Sequence, residues 1–211
     1  MRNLYQQQLW SLNQELIQMG AACEEIIALA AQSLTDYSGA LEEKTTQVGA
    51  VIDESERTIE DICLKLLLRQ QPVARDLRQI SAAMKMITDM ERIGDQAEDI
   101  VDLIPKMAKS AESSHLQAMA KAAQAMVTEA VDAYVKQDVY LAKAVQMHDD
   151  VVDNYFTRVK SSLIDMVAKN PEEGEFALDL LMIAKYFERI GDHATNIAEW
   201  VEYSVTGTHK N

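Results

Sequence analysis

Apolar side chains recur along the chain at steps of three and four residues, the spacing that places them on one face of an α-helix. Leu9, Leu12, Leu16 and Met19 follow this rule in the first such segment, and later segments repeat it. The chain has only seven Gly and three Pro, so there are few points at which helices can end. The pattern predicts six long helices, at about 3–37, 41–70, 72–106, 116–136, 139–169 and 171–205.

The predicted helices fall into two groups of three. Connections such as Gln71-Pro72 and 170–174 are short, so consecutive helices should lie antiparallel and each group should form a three-helix bundle. The Ser-rich segment 109–115 (KSAESSH) separates the groups and predicts a linker between a first repeat at 1–108 and a second at 116–208. The expected fold is all-α, with two tandem three-helix bundles stacked into one elongated, internally duplicated rod.

One ten-residue sequence occurs twice. ERIGDQAEDI begins at Glu91 and ERIGDHATNI at Glu188, with seven identical positions at a separation of 97 residues. Each copy places a second carboxylate four residues on, at Asp95 and Asp192, on the same face of its helix. Like charges at this spacing destabilise a helix by about 0.2–0.5 kcal/mol unless a cation lies between them. The sequence therefore predicts a duplicated ligand site.

The motif also contains a glycine inside each helix, Gly94 and Gly191, and an interior glycine costs about 1 kcal/mol relative to alanine. Such a cost requires a reason, which is either close packing of helices or access to a metal or partner site. The neighbouring Arg92 and Arg189 offer a third interpretation, in which the acids are ordinary surface ion pairs. All three interpretations agree with the sequence.

A second acidic pair, whose sequence is less similar between the halves, lies on the helix before each motif. Helix two offers Glu56 and Glu60, helix five offers Asp149 and Asp153, and we interpret these pairs as counterparts. Nearby acids could compete with them as ligands, namely Asp53, Glu54, Asp61 and Asp150. We attribute the longer connection that follows the second pair to a longer hairpin at Asn170. Carboxylate oxygens suit Mg²⁺, Ca²⁺ or Mn²⁺ and, with bridging oxide, iron; zinc also accepts them. The residue types alone do not select one of these metals.

The net charge of −14 and a pI near 4.7 argue against binding to nucleic acid, which requires clustered Lys and Arg. Cys23 and Cys63 lie in apolar helical contexts and are expected to be reduced core residues, which favours the cytoplasm. The first ten residues have no apolar signal core, and no apolar run approaches the ~20 residues of a membrane span. We therefore expect membrane association only through a partner.

Four segments carry a resemblance to a known family: QPVARDLR at 71–78, the two ERIGD motifs, and NIAEWVEYSVTG at 196–207. Over nearly its whole length the chain resembles PhoU, the regulators of phosphate uptake. The resemblance implies a cytoplasmic, non-enzymatic negative regulator of the phosphate ABC transporter and of the phosphate-starvation two-component response. It also implies an adaptor between the transporter's ATPase subunit and a phosphate-sensing histidine kinase, with peripheral membrane association through these partners.

The E(D)xxxD motifs of that family are similar to metal-cluster sites, which implies that the carboxylates hold a divalent metal or an iron cluster. The implied ligands are Glu91, Asp95, Glu188, Asp192, Asp149, Asp153, Glu56 and Glu60. Glu60 departs from the motif, because the family prefers Asp at that position. Long apolar stripes and 11 methionines further favour self-association, which we expect as a homodimer.

Two alternatives from other classes remain. Ferritin-like proteins, which store metal or act as oxidoreductases, also place carboxylates inside a helical bundle, but their signature is Glu-x-x-His twice on core helices. The only such pair here runs from Glu112 to His115 in the predicted linker, and no P-loop or Ser-His-Asp motif is present. The second alternative is a metal-free helical scaffold whose acids serve solubility.

Overall fold

A computed structural model of the protein describes residues 2–70, 72–107, 111 and 113–208. These residues contain six long helices and no strand, which confirms the all-α fold class. The helices are α1 (Arg2–Ser33), α2 (Gly39–Gln70), α3 (Ala74–Leu103), α4 (Ser114–Lys136), α5 (Val139–Lys169) and α6 (Gly174–Thr206). Short 3-10 turns follow α3, at Ile104–Lys106, and precede α6, at Pro171–Glu173.

The first helix ends four residues earlier than predicted because hydroxyl side chains compete for its last carbonyls. Ser33 Oγ donates to Ala30 O at 2.7 Å, and Thr35 Oγ1 donates to Gln32 O at 3.2 Å. Ser38 Oγ then accepts from the backbone N–H of Leu41, so α2 begins at Gly39. The predicted break at Ser38-Gly39 is therefore the N-cap of the second helix.

Other helix starts also follow capping chemistry. Val73 has extended dihedrals (φ −82°, ψ 169°), so α3 begins at Ala74 and Pro72 lies outside it. In the predicted linker, Ser113 Oγ accepts from Leu116 N, and α4 begins at Ser114. Residues 109, 110 and 112 of that linker lie outside the described part of the chain.

Helices α1–α3 form one three-helix bundle, the first half, and α4–α6 form another, the second half. A continuous core of buried Leu, Ile, Val, Met and Ala side chains fills both halves and the space between them. Helices α2 and α5 lie on the outer sides, because each packs mainly against the other two helices of its own half. In the part of the chain that the structure describes, no helix is long and apolar enough to cross a membrane.

The two halves meet where α3 packs against α6 and α1 packs against α4. Asn196 Nδ2 donates to Asp89 Oδ1 at 3.1 Å, and Lys85, one turn earlier on α3, lies over the ring of Trp200. Residue numbers therefore fall along α6 as they rise along α3, so the helices are antiparallel. An approximate twofold axis relates the halves, and the two ERIGD motifs lie at the same level along the molecule.

Equivalent residues of the two halves differ by 97 in number on the inner helices, α3 and α6, but by another amount on the outer helices, α2 and α5. A Cβ built on Gly94 would meet Ile52, and one built on Gly191 would meet Val152, so α2 and α5 align at an offset of 100 residues. Buried side chains at 59 and 159, and at 63 and 163, follow the same offset. The counterparts of residues 149 and 153 are thus residues 49 and 53. The predicted equivalence of the pairs at 56/60 and 149/153 is wrong.

The reason lies in the hairpins. Ile52 precedes Gly94 by 42 residues, whereas Val152 precedes Gly191 by 39. Measured between these contacts, the first half is therefore longer by three residues. The connection at Asn170 (170–173) is longer by one residue than that at 71–73, as predicted, so the extra length of the first half lies in α2 and α3. Asn170 caps the 3-10 turn directly, since its side chain accepts from the N–H of Glu172 at 3.3 Å.

Candidate functional site

The glycines of the repeated motif allow the outer helix of each half to approach its neighbour. A Cβ on Gly94 would lie 3.2 Å from Ile52 Cδ1, and a Cβ on Gly191 would lie 3.4 Å from Val152 Cγ1. The Cβ built on Gly191 would also lie 3.5 Å from Asp149 Oδ1. Close packing therefore accounts for the glycines, and the same approach brings a carboxylate of α5 onto the surface of α6.

Four carboxylates come together on α5 and α6, and we call Asp149, Asp153, Glu188 and Asp192 the second acidic cluster. Burial, Glu188 and Asp149 raise the pKa of Asp192 from 3.8 to about 6, although Lys185 opposes the shift. Burial and Asp153 raise the pKa of Asp149, while the hydroxyl of Thr195 lowers it. The structure thus brings together all four acids that the sequence predicted for this half.

The ammonium group of a lysine lies at the edge of the second acidic cluster. Lys185 Nζ pairs with Glu188 Oε2 across one turn of α6, and only 15% of the Glu188 side chain is exposed. The same ammonium lies 5.8 Å from the centre of the Phe156 ring. Lys185 compensates part of the charge of Glu188 and leaves Asp192 without an adjacent guanidinium or ammonium in the described ion pairs.

The first acidic cluster consists of Asp53, Glu56, Glu91, Asp95 and Glu98, on α2 and α3. Burial and Asp95 raise the pKa of Glu91, and Glu56 and Asp53 add to the shift. Burial, Glu60 and Asp53 raise the pKa of Glu56.

Among the predicted acids of the first half, Asp95 and Glu56 therefore both act on Glu91. Glu60 is exposed on α2, and its charge raises the pKa of Glu56 and of the buried Cys63. Glu60 therefore affects the first acidic cluster through its charge, which acts on Glu56.

Glu98 is the member of the first acidic cluster that the sequence did not indicate. Burial raises its pKa, and Asp53 and Asp95 raise it further, which places its carboxylate among the others. Its counterpart in the second copy of the motif is Thr195, so the duplication hides it. The signal that could have found Glu98 is its position three residues after Asp95, on the same face of α3.

Arg92 lies inside the first acidic cluster. Its Nη1 is 2.9 Å from Asp95 Oδ2, and its Nε is 3.3 Å from Glu91 Oε2. Its charge lowers the pKa of both Glu91 and Glu56, against the larger effect of burial. The ion-pair interpretation is therefore correct for this arginine.

The polar residues that follow each motif face the other half of the molecule. His193 Nδ1 lies 2.9 Å from Asp89 Oδ1, so this histidine belongs to the contact between α3 and α6. On the other side of the twofold axis, Arg189 lowers the pKa of Asp99, which burial and Asp95 raise. Burial raises the pKa of Tyr186, and the charge of Asp99 raises it further. The acidic surface is thus continuous from the first cluster to the α3–α6 contact.

A metal ion requires several donor atoms that converge on one point. Within the described residues, no three Asp, Glu, His or Cys side chains converge closely enough, as they stand, to hold one metal ion. Arg92 and Lys185 engage three of the acids instead. Nevertheless, each cluster joins oxygen donors from two adjacent helices. Burial and like charges raise the pKa of Glu91 in the first cluster and of Asp192 in the second, and this donor chemistry fits a hard divalent cation.

The comparisons with known proteins concern nearly the whole chain. The family model for the PhoU domain matches twice, at residues 16–104 and 116–201. A phosphate-specific transport system accessory protein, the PhoU homolog of Clostridium acetobutylicum, is 31% identical over 98% of this chain and 96% of its own length. The corresponding homolog of Synechocystis sp. is 34% identical over 98% of this chain and 93% of its own length.

Solved structures agree with these matches. The crystal structure of PhoU from Pseudomonas aeruginosa superposes with a TM-score of 0.88 at 32% identity, over 97% of this chain and 100% of that one. The phosphate transport system regulatory protein PhoU from Streptococcus pneumoniae has the same fold, with a TM-score of 0.89 over 98% of this chain and 99% of that one, at 23% identity. The duplicated three-helix fold, the two domain matches and these relatives show that the chain belongs to the PhoU family.

Proposed function

We propose that this PhoU-family protein is a cytoplasmic, non-enzymatic negative regulator of phosphate uptake and of the phosphate-starvation two-component response. In this role it is an adaptor between the ATPase subunit of the phosphate ABC transporter and a phosphate-sensing histidine kinase, and it reaches the membrane through them. Relatives named as accessory proteins of a phosphate-specific transport system support the connection to the transporter.

The observation that carries the proposal is the pair of acidic clusters, each formed across two helices at the same level of the molecule. A divalent cation or an iron cluster would be held by Asp149, Asp153, Glu188 and Asp192 in the second half, and by Glu91 and Asp95 with Asp53 and Glu56 in the first. The bound cation would neutralise the carboxylates and supply a Lewis-acidic centre that partner oxygens can reach. The protein's own part is to fix the helices that carry these donors.

The contact between α3 and α6 fixes the position of one cluster relative to the other. Asp89 holds both His193 and Asn196, and Arg189 faces Asp99 on the other side of the axis. Because α3 and α6 pack extensively against each other, we expect the two clusters to act as one rigid acidic face. A rigid face is suited to docking, since little conformational entropy is lost when a partner binds.

The first experiment measures bound metal in protein purified without chelator. Wild type is compared with Glu91→Gln/Asp95→Asn and with Glu188→Gln/Asp192→Asn, and the control is Asp165→Asn/Glu172→Gln, which removes two exposed carboxylates away from both clusters. We expect bound metal to fall in each cluster variant and to be unchanged in the control. Equal metal content in all four proteins, or none in any, would contradict the metal role.

The second experiment tests the partners separately from the metal. Binding of the purified ATPase subunit and of the kinase's cytoplasmic part is titrated against wild type, the two cluster variants and the same control, with Mn²⁺ or with EDTA. We expect both cluster variants to bind at least one partner more weakly than the control does. Unchanged affinities for both partners would exclude the acidic face as the docking surface.

Self-association as a homodimer is part of the proposal. The outer face of α5 exposes Tyr140, Met147 and Val151, at 88%, 73% and 44% of their surfaces, which is unusual for large apolar side chains. Sedimentation equilibrium of wild type and of Met147→Lys measures whether this face joins two copies. A wild-type monomer at micromolar concentration would contradict the homodimer.

A further inference from the structure

The connections α2–α3 and α5–α6 lie at opposite ends of the molecule. A Cβ built on Gly207, where α6 ends, would lie 3.4 Å from Cζ of Arg78, near the start of α3. The α2–α3 connection is therefore at the end of the molecule where α6 finishes. The α5–α6 connection is at the other end, about 50 Å away along the 33 residues of α6. The two connections of one copy cannot touch each other.

An apolar groove lies between the end of α5 and the start of α6, and we call it the hairpin groove. Its volume is about 620 Å³, and its lining, which includes Leu163, Val167 and Leu181, is almost entirely apolar. Ala168 and Gly174 also line it, and a Cβ built on Gly174 would meet no atom within 4 Å. The groove is therefore open because these two residues are small.

The first half has large side chains where the second half has the groove. At an offset of 100 on the outer helices and 97 on the inner ones, Ala168 corresponds to Leu68 and Gly174 to Leu77. Leu68 exposes 82% of its surface and Leu77 47%, and Val73 between them exposes 70%. We call this apolar surface, on residues 64–81, the first tip. An exposed group of large apolar side chains is typical of a contact surface.

The charges of the two surfaces are opposite. Residues 64–81 include four Lys or Arg and one Asp, whereas the corresponding residues 164–178 include four Asp or Glu and one Lys. Arg75 of the first tip is exposed, and so are Glu172 and Glu175 beside the hairpin groove. The first tip of one copy is therefore attracted to the hairpin groove of another, while two first tips repel each other.

We propose that the first tip of one copy docks into the hairpin groove of a second copy, so that copies of this chain associate head to tail. Leu68 and Leu77 enter the space that Ala168 and Gly174 leave open. Because two different surfaces meet, each added copy presents a new free groove or tip, and the product is a chain of copies or a closed ring. Both surfaces are small, so the association is weak and depends on concentration.

This contact is separate from the other proposed roles of the protein. The hairpin groove lies about five helical turns along α5 from Met147, whose face carries the proposed homodimer. It also does not involve the acidic clusters, so the inference is independent of their metal role.

The test measures the mass of the full chain by sedimentation velocity, from micromolar to submillimolar concentration, in the background Met147→Lys. We expect the mass to rise with concentration beyond two copies, and less steeply at high salt. Leu68→Asp, which brings an unpaired charge to the groove, and Gly174→Leu, which fills it, should each weaken the association at least about tenfold. Val51→Asp, at an exposed apolar site of α2 far from the first tip, should change it by less than about threefold.

The decisive sample is an equimolar mixture of Leu68→Asp and Gly174→Leu. The first variant retains an intact groove and the second an intact tip, so the mixture should form dimers that neither variant forms alone. These dimers should not grow further, because their remaining surfaces are the two altered ones. Circular dichroism and urea midpoints check that both variants are folded, and Ala168→Leu replaces Gly174→Leu if the latter lowers the midpoint.

Three results would overturn the inference. A background protein that is monomeric at every concentration would show that a second copy does not fill the groove, which would then serve a partner of another kind. Association that Leu68→Asp and Gly174→Leu leave unchanged, or that Val51→Asp weakens equally, would place the contact elsewhere. A mixture that stays monomeric although both variants are folded would refute the docking of tip into groove.

Discussion

Arg92 and Arg189 occupy the same position in the two copies of the motif, yet their guanidinium groups serve different neighbours. Arg92 stays in its own cluster and pairs with Asp95 and Glu91. Arg189 instead acts on Asp99, on the helix of the other half. In the second cluster the compensating charge is Lys185, which pairs with Glu188 from the preceding turn.

The difference teaches that duplication has preserved the packing and changed the electrostatics. Most buried positions of α3 and α6 correspond, and both motif glycines admit a β-branched side chain of the outer helix. The charges around them have rearranged, because exposed positions are free to change once the backbone is fixed. In the second cluster Lys185 pairs with Glu188, and the pKa of Asp192, which is in none of the described ion pairs, is raised to about 6.

The largest expected effect tests the shared packing. Met90 and Phe187 are fully buried counterparts, and truncation of each to alanine should destabilise the protein by about 2–5 kcal/mol, with Phe187→Ala at the upper end. Urea unfolding monitored by circular dichroism measures both. A cost below about 1 kcal/mol at either position would break the equivalence of the two cores.

The next prediction sharpens the electrostatic difference through pH. A folded pKa of about 6 lies above the unfolded value near 3.9, so folded Asp192 binds its proton more tightly than the unfolded chain does. The stability that protonated Asp192 contributes is therefore fully present below about pH 4, is lost as the pH rises to about 6, and does not change above that. Because Asp192 is partly exposed, its share should be no more than about 1 kcal/mol.

Asp192→Asn should reduce this decline, while the matched change Asp165→Asn, at an exposed site away from the clusters, should leave it unchanged. Urea midpoints in EDTA at pH 4, 5, 6 and 7 provide the measurement. Burial and like charges raise the pKa values of Asp149, Glu91 and Glu98 in the same direction, so part of the slope should persist. A full slope in Asp192→Asn would contradict the assignment.

A smaller effect distinguishes the two motif glycines. Alanine at Gly191 would place its Cβ at ordinary contact distance from Val152, so the gain in helix propensity should stabilise the protein by about 0.5–1 kcal/mol. Alanine at Gly94 would press on Ile52 Cδ1 at 3.2 Å, and this strain should cancel the gain. Thermal unfolding of the two variants gives the comparison. Equal midpoints would show that the outer helix leaves the same space at both glycines.

The smallest effect concerns the arginines themselves. Arg92→Gln removes the compensating charge from Glu91 and Asp95 and should cost up to about 1 kcal/mol at low salt, and less at high salt. Arg189→Gln should leave the second cluster unchanged, because that cluster is compensated by Lys185. Urea midpoints at two salt concentrations test both, and a larger salt dependence for Arg189→Gln would reverse the comparison.

Much of the fold follows from the sequence because its helices are long and strongly periodic. Boundaries were displaced where a side chain competed with the backbone, as at Ser33 and Ser38, since periodicity does not register capping. The repeat itself identified Glu91, Asp95, Glu188 and Asp192, which the structure indeed groups with acids of the outer helices.

The register of the outer helices could not be obtained in the same way. Acids at 53, 56 and 60 lie three or four residues apart, so each can be matched to the second half by a shift of one helical turn. Contacts between helices select the correct shift, because a Cβ built on Gly94 would meet Ile52, and the buried pairs 59/159 and 63/163 agree. Glu98 was missed for the same reason, because its carboxylate approaches Gly49 of α2, a contact between distant segments.

The antiparallel contact between the halves also has a consequence for how the chain folds. Contacts across it join residues far apart in sequence, such as Asp89 and His193, separated by 104 positions, and Glu24 and Gln124, separated by 100. Within a half, neighbouring helices are joined by short connections, so their contacts close smaller loops. Each three-helix bundle should therefore form early, and docking of the two bundles should be the slow, late step.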